Sequence, residues 1–288
     1  MKPRAAAVEA AVPPAGLILI GILSVQVGAA VAKNLFDVLP PSAVVWLRLL
    51  TSAALLAILA RPRLRGRSRG DWLVVCGFGL ALAAMNWAIY QSFARIPLGI
   101  AVTIEFLGPL TVAVAASRRR LDFVWVALAG VGVALLGRDN GNITLTGVLF
   151  ALLAAAAWAA YIFLSAATGK RFSGVEGLAI ASLTGVLLVA PAAVAEGGAA
   201  LLDGRLVLIG LAVGVLSSVI PYSLELHALR RMSPKVFSIL MSLQPAAAAL
   251  AGMVLLGEFL TPSQWLAVAC VVAASIGAAR TARAGPGG

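Results

Sequence analysis

Acidic side chains are scarce in this sequence, 11 in 288 residues, and with the 22 basic ones they bring the charged fraction to only 11%, against roughly 25% in a typical soluble domain. No water-soluble surface could be covered with so few charges. Histidine occurs once, as His227, and cysteine twice, as Cys76 and Cys270, each inside an apolar stretch. One imidazole and two separated thiols do not make a usual zinc site, so no metal is expected. The thiols read as small packing residues and say nothing firm about redox compartment. No glycine-rich phosphate loop stands before a helix in the expected context. No nucleophile is paired with a base, as a membrane-embedded hydrolase would need. These absences exclude the ordinary enzyme classes and leave no cofactor to expect.

Apolar residues fill the space instead, at 61% of the chain with a mean hydropathy of +1.02. A bilayer core about 30 Å thick is crossed by about 20 apolar residues in a helix. On that measure the chain divides into ten spans: 15 to 32, 42 to 60, 72 to 93, 98 to 117, 121 to 137, 147 to 166, 176 to 194, 206 to 226, 235 to 256 and 263 to 279. The expected fold is therefore an all-α membrane protein of ten transmembrane helices. The tails, Met1 to Pro14 and Arg280 to Gly288, are too short for a separate soluble domain. The first span has an alternative reading as a cleaved signal peptide, since Lys2 and Arg4 precede an apolar run ending in Ala30-Val31-Ala32. Cleavage would remove the partner of the span at 147 to 166, so the helix reading is kept.

The net charge of +11 would suit nucleic acid, but the placement of the basic residues points elsewhere. With the amino terminus in the cytoplasm, seventeen Lys and Arg fall on the inside: Lys2, Arg4, Arg61, Arg63, Arg65, Arg67, Arg69, Arg118, Arg119, Arg120, Lys170, Arg171, Arg230, Arg231, Lys235, Arg280 and Arg283. Four, Lys33, Arg95, Arg138 and Arg205, fall outside, and Arg48 lies within a span. By the positive-inside rule both termini are cytoplasmic and the five-arginine loop is an orientation signal. No nucleic acid is expected as a partner.

Two stretches, from Arg95 and from Arg231, run in register at an offset of 136 residues. Each opens with Arg and a nearby Pro and then enters an apolar run broken by a second Pro. These are Pro97 and Pro109 in the first, Pro234 and Pro245 in the second, with only Pro97 and Pro234 one place out of step. An acid follows at the next boundary, Asp122 or Glu258, and a further apolar run ends near Gly137 or Gly277. The chain reads as two copies of a five-helix unit, 15–137 and 147–279. An odd number of spans makes the second copy enter the membrane from the opposite side, giving the inverted repeats that transporters use for alternating access. The basic run Arg118 to Arg120 beside Asp122 lies inside, whereas Glu258 lies outside without such a cluster. Duplication into a merely stable bundle is the plainer reading, and Gly210 and Gly214 serve helix packing on either.

Among the embedded polar residues Glu105 stands out. It lies about seven residues into the fourth span, roughly 10 Å below the outer face at 1.5 Å per residue. A carboxylate there costs on the order of 2.5 to 3.5 kcal/mol and must face a partner or a wet cavity. Four residues on, Pro109 has no N–H for the Glu105 carbonyl, so polar groups concentrate at this turn; Pro245 does the same for Met241 and Pro221 for Ser217. Glu105 is read either as a binding group for a cation, ammonium or proton, or as a partner of Arg48 that fixes the helix arrangement. Glu225, near the cytoplasmic end of the eighth span, either functions or reaches the interface. Asn86, Trp87 and Tyr90 on the third span, with Trp158 and Tyr161 on the sixth, either line a cavity or belong to interfacial belts and packing. His227 reads as interfacial.

The segments AKNLF (32–36), LRL (47–49), PLGIAV (97–102), EF (105–106), GPL (108–110), SRR (117–119), DFVWV (122–126), PYSLE (221–225), LMSL (240–243) and LGE with LTP (256–262) carry a resemblance that spans both halves. The chain resembles the drug/metabolite transporter superfamily in its ten-helix EamA-like branch, and within it the threonine and homoserine exporters. Pro109, Pro245 and Glu258 match the superfamily pattern; PLGIAV, DFVWV and PYSLE point more narrowly to the exporters. The resemblance implies an inner-membrane exporter of small neutral amino acids driven by the proton gradient. One departure stands out. Where the exporter pattern reads SLEP, this chain has Ser242, Leu243, Gln244 and Pro245. Gln244 cannot carry a proton, so coupling by that acid would pass to Glu105 or Glu225, and the change also allows a different substrate.

The expectation is then a transporter with its site between the halves. Glu105 meets the substrate amine or a proton, and Arg48 balances charge or meets a carboxylate. Asn86, Tyr90, Trp158, Tyr161 and Tyr222 line the cavity, with Glu225 and Gln244 beside them. The partners expected are an amino-acid substrate, the lipid bilayer and protons, and a homodimer is allowed. Export of other metabolites or drugs, or a non-transporting membrane subunit, are the alternatives.

Overall fold

The computed structural model describes residues 13–60, 62, 66–116, 121–136 and 143–281. The expected positions Lys2, Arg4, Arg61, Arg63, Arg65, Arg118, Arg119, Arg120, Arg138 and Arg283 lie outside the described residues, as does the Asp122 side chain.

Every regular element among the described residues is helical. In chain order these are α1 Pro14–Asn34, α2 Pro41–Ala60, α3 Arg69–Phe93, α4 Leu98–Glu105, α5 Leu107–Ala116, α6 Leu121–Leu136, α7 Leu145–Gly169 and α8 Glu176–Gly197. A 3₁₀ turn at Gly198–Leu202 follows, then α9 Gly204–Gly214, a π turn at Val215–Val219, α10 Ile220–Leu229, α11 Pro234–Met241, α12 Gln244–Leu256 and α13 Pro262–Thr281. Helix starts follow local chemistry. Ser68 and Asp71 form a reciprocal capping box at α3, Thr144 caps α7, Asp203 caps α9 and Ser233 caps α11. Proline stands at the first turn of α1 and α11, where its missing N–H has no helical partner to lose.

Two of the expected spans are each made of two helices because proline interrupts the ladder. Pro109 cannot donate to Glu105, and α4 stops there; Pro245 cannot donate to Met241, and α11 stops there. In the eighth span Pro221 follows the π turn instead. The capping residues of these segments coincide in spacing. Ala94 and Arg230, Pro97 and Ser233, and Phe106 and Ser242 each stand 136 positions apart (230 less 94, 233 less 97, 242 less 106).

Among the described residues nine helical segments are long and apolar enough to cross a membrane, counting α4 with α5, α9 with α10 and α11 with α12 as one each. The sequence reading gave ten. The difference is α6, of which 16 residues are described, fewer than the others. The chain is thus an all-helical membrane protein, with ten helical spans among the described residues, nine of them long.

The spans pack in a definite set of pairs: α2 on α8, α3 on α7 and α8, α1 on α10 and α12, α9 on α2, α4 on α7 and α12, and α6 on α13. Close approach depends on glycine at several crossings. A Cβ at Gly210 would lie 3.1 Å from Leu47 Cβ, one at Gly214 2.6 Å from Thr51 Cβ, and one at Gly99 2.6 Å from Ala249 Cα. In a bilayer, where lipid is as apolar as leucine, this shape fit is what holds helices together. The inner face of the bundle buries Ile18, Ile22, Ala30, Leu47, Leu98, Ile100 and Ile104, while Leu73, Leu80, Phe123, Leu187, Leu208 and Val254 are exposed and form an apolar exterior suited to lipid. α1 belongs to this packing, as the helix reading of the first span required.

Candidate functional site

The break after α4 places Glu105 at a helix end inside the bundle. The N–H of Phe106, the capping residue, turns back to the carbonyls of Val102 and Ile104. Across from it α2 carries Arg48, α3 carries Tyr90 and α10 carries Tyr222, and these four are neighbours. The Arg48 guanidinium carbon lies 5.6 Å from the centre of the Tyr90 ring. The Tyr90 hydroxyl is buried and makes no hydrogen bond of good geometry among the described residues, although Arg48 is beside it. From Tyr222 the cluster continues to Tyr161 of α7 and Glu225 of α10. Five helices from both ends of the sequence thus meet at one polar centre.

Arg48 and Glu105 form no ion pair among the described residues, so the structural pairing left open by the sequence is not made in this conformation. The guanidinium and the carboxyl group stand near each other with no ion pair between them. An embedded charge in that condition needs water or a ligand to solvate it. Tyr222 is 43% exposed. A carboxyl group and a guanidinium that lie near each other without pairing can receive the two ends of a zwitterion, with the tyrosines beside them.

The other expected residues make the following contacts. Asn86 is buried, and its amide donates to the Leu82 carbonyl at 2.8 Å one turn back. Trp87 donates to Ser42 Oγ at 2.9 Å and meets Phe150 edge-on at 5.5 Å. Trp158 packs edge-on against Phe106 at 5.2 Å, which places it behind the break that carries Glu105. Tyr161 stacks at a tilt on Phe78, 4.9 Å between centres. Gln244 is the first residue of α12, its amide 3.8 Å from Met241 Sδ, at the second proline break. At the π turn before Pro221, Ser24 Oγ donates to the Leu216 carbonyl at 2.7 Å, while Ser217 Oγ is buried without a hydrogen-bond partner among the described residues.

The sequence reading missed a second polar centre at one end of the bundle. Lys33, at the end of α1, pairs with Glu258 at 2.5 Å and donates to the Ile96 carbonyl at 2.7 Å. The other oxygen of Glu258 accepts the Leu98 N–H at 2.7 Å. Lys33 and Glu258 had each been placed on the outer boundary, and that shared face was the available signal. At the opposite ends of α3 and α7, Arg67 pairs with Glu176 at 2.7 Å and Arg171 with Asp71 at 3.2 Å.

Comparison with known proteins gives a consistent picture. A model of the EamA-like transporter family matches residues 145–280. The chain is 41% identical over 276 residues to the threonine/homoserine exporter RhtA of Escherichia coli (strain K12), covering 94% of this chain and 92% of that one. It is 40% identical over 279 residues to the threonine/homoserine exporter RhtA of Salmonella typhimurium (strain LT2), covering 95% and 93%. The uncharacterized transporter YxxF of Bacillus subtilis (strain 168) is 29% identical over 193 residues, 61% of this chain and 58% of that one. A crystal structure of a protein 21% identical in sequence superposes with a TM-score of 0.62 over 93% of this chain and 97% of the other; at that identity the likeness is one of fold.

Proposed function

Because this chain belongs to the EamA-like transporter family, and so is a membrane transporter rather than an enzyme, we propose that it exports small neutral amino acids such as threonine and homoserine across the inner membrane by alternating access, coupled to protons. The observation that carries the substrate class is the 41% identity to a threonine/homoserine exporter, which extends over nearly the whole of both chains. In this reading the substrate lies among Arg48, Glu105, Tyr90 and Tyr222. Arg48 takes its carboxylate, Glu105 its ammonium or the coupling proton, and Tyr161, Glu225 and Gln244 border the path. Asn86, Trp158, Pro109, Pro221 and Pro245 hold the shape of the cavity wall.

The two-unit reading, 15–137 and 147–279 in opposite orientation with both termini cytoplasmic, draws support from two features. Three capping positions recur at a spacing of 136. The packing pairs also exchange when the first five spans are swapped for the last five: α3 on α7 becomes α10 on α1, α3 on α8 becomes α9 on α2, and α4 on α7 becomes α12 on α1. The pairs α2 on α8, α4 on α12 and α6 on α13 map onto themselves. Such a pair of interchangeable halves supplies two shapes of similar energy, which alternating access needs.

Purified protein in liposomes tests the function without a host cell. Threonine-loaded vesicles should lose label faster than protein-free ones, and faster still with a proton gradient imposed. Vesicles that hold correctly inserted protein yet retain threonine and homoserine as controls do would rule out the proposed substrates, and a subunit without transport activity would behave in this way.

A further inference from the structure

The two ends of the bundle are not in the same condition. Positions 136 apart around the α3–α4 turn and the α10–α11 turn differ sharply in exposure: Tyr90 at 1% against Leu226 at 50%, Phe93 at 3% against Leu229 at 41%, Ile100 at 0% against Val236 at 45%. The α3–α4 end is packed shut. The α10–α11 turn is exposed, and so is Tyr222, one turn before Leu226.

Around the shut end lies the Lys33 and Glu258 centre. Lys33 comes from the first half of the chain and Glu258 from the second. Between them they grip both sides of the α3–α4 turn, Lys33 at the Ile96 carbonyl and Glu258 at the Leu98 N–H. The Glu258 N–H in turn bonds the Gly252 carbonyl at 3.0 Å, where Gly257 takes a left-handed turn with φ of 66°. That turn aims the carboxylate back across α12 toward α4. The Arg67–Glu176 and Arg171–Asp71 pairs lie at the other end, where they join the start of α3 to the connection between α7 and α8.

We propose that Lys33 and Glu258 are positioning residues for transport: together they latch the end of the molecule that carries the α3–α4 turn, and the latch must open for substrate to leave on that side. The proposal rests on the alternating-access reading and deepens it. Sequence explains why the two ends are unequal. The acid 136 positions before Glu258 is Asp122, but the residue 136 positions after Leu98 is Pro234, which has no N–H to offer a carboxylate. The backbone donor that Leu98 offers Glu258 therefore has no counterpart at Pro234. An exporter that rests open toward the cytoplasm waits in the state that loads its substrate, as the outward placement of Lys33 by the charge rule requires.

The test uses the full chain with Cys76→Ser and Cys270→Ser, and a reporter cysteine at Ala101→Cys, a fully buried position one turn inside the latch. A membrane-impermeant maleimide is applied to intact cells and, separately, to inverted vesicles. The parent should be protected from the α3–α4 side. Glu258→Gln and Lys33→Met should each raise the labelling rate from that side by about tenfold, the effect of losing one charge-assisted bond from a two-state equilibrium. If Glu258→Gln does not reach the membrane, Lys33→Met decides alone. Variants present at the parent's level that label no faster, from either side, would overturn the latch. Faster labelling in a protein that moves no threonine would uphold the latch and defeat the substrate assignment instead.

Discussion

Glu105 and Arg48 face each other without touching, and that separation is the property on which their proposed role depends. A closed ion pair would be a strut, whereas an open one is a receptor for a molecule carrying both charges. Replacing Arg48 with Gln should therefore impair transport of a zwitterion more than it impairs folding. Threonine efflux from liposomes is expected to fall by about tenfold or more, the range for loss of a charge-assisted contact, with the amount of protein extracted from the membrane little changed. An equal loss of protein and of efflux would make Arg48 structural. At this scale the sequence was informative where an embedded charge or a proline marked the position. Glu105, Arg48 and Pro109 stood out because each is costly in an apolar helix. The tyrosines did not, since an aromatic in a span looks alike whether it lines a cavity or packs. Tyr222 and Tyr90 became distinguishable only when their surroundings were known, and Asn86 turned out to spend its amide on its own helix.

Elements were legible to the extent that local chemistry ends them. The breaks at Glu105 and Met241 followed from Pro109 and Pro245, and the structure puts the helix ends there. The π turn before Pro221 was not foreseen, because proline four residues after a carbonyl admits a kink, a break or a wider turn equally well. α6 was expected over 121–137 and is described as a helix over Leu121–Leu136. Helix crossings depend on glycine in a way that a substitution can measure. Gly214 faces Thr51 so closely that a leucine there must push α9 off α2. Gly214→Leu should cost about 1 to 3 kcal/mol in overpacking and lower the midpoint of thermal unfolding in detergent. The same change at Gly130, beside which nothing lies within 4 Å, should leave the midpoint near that of the parent. Similar midpoints for the two variants would show that the α2–α9 crossing contributes little.

For the whole molecule, composition settled the class, since so small a charged fraction leaves only a bilayer as surroundings. The repeat spacing was visible in the sequence because proline and the boundary acids punctuate both halves at the same interval. Invisible from the sequence was the difference between the halves in this conformation, one turn buried and its counterpart open, because that is a property of the state the protein occupies and not of either copy. The Lys33 and Glu258 contact spans 225 residues (258 less 33), and no local pattern could announce it. The proposed exporter has one central requirement, that the carboxyl group at the first helix break handle the substrate or its proton. The most direct measurement is excretion of threonine and homoserine from cells loaded with a threonine-containing dipeptide, comparing the natural chain, Glu105→Gln and empty vector across external pH. The account expects faster excretion with the natural chain, dependent on pH, and a return to the vector rate with Glu105→Gln at equal membrane content. Excretion by Glu105→Gln that matches the natural chain in rate and pH dependence would contradict it.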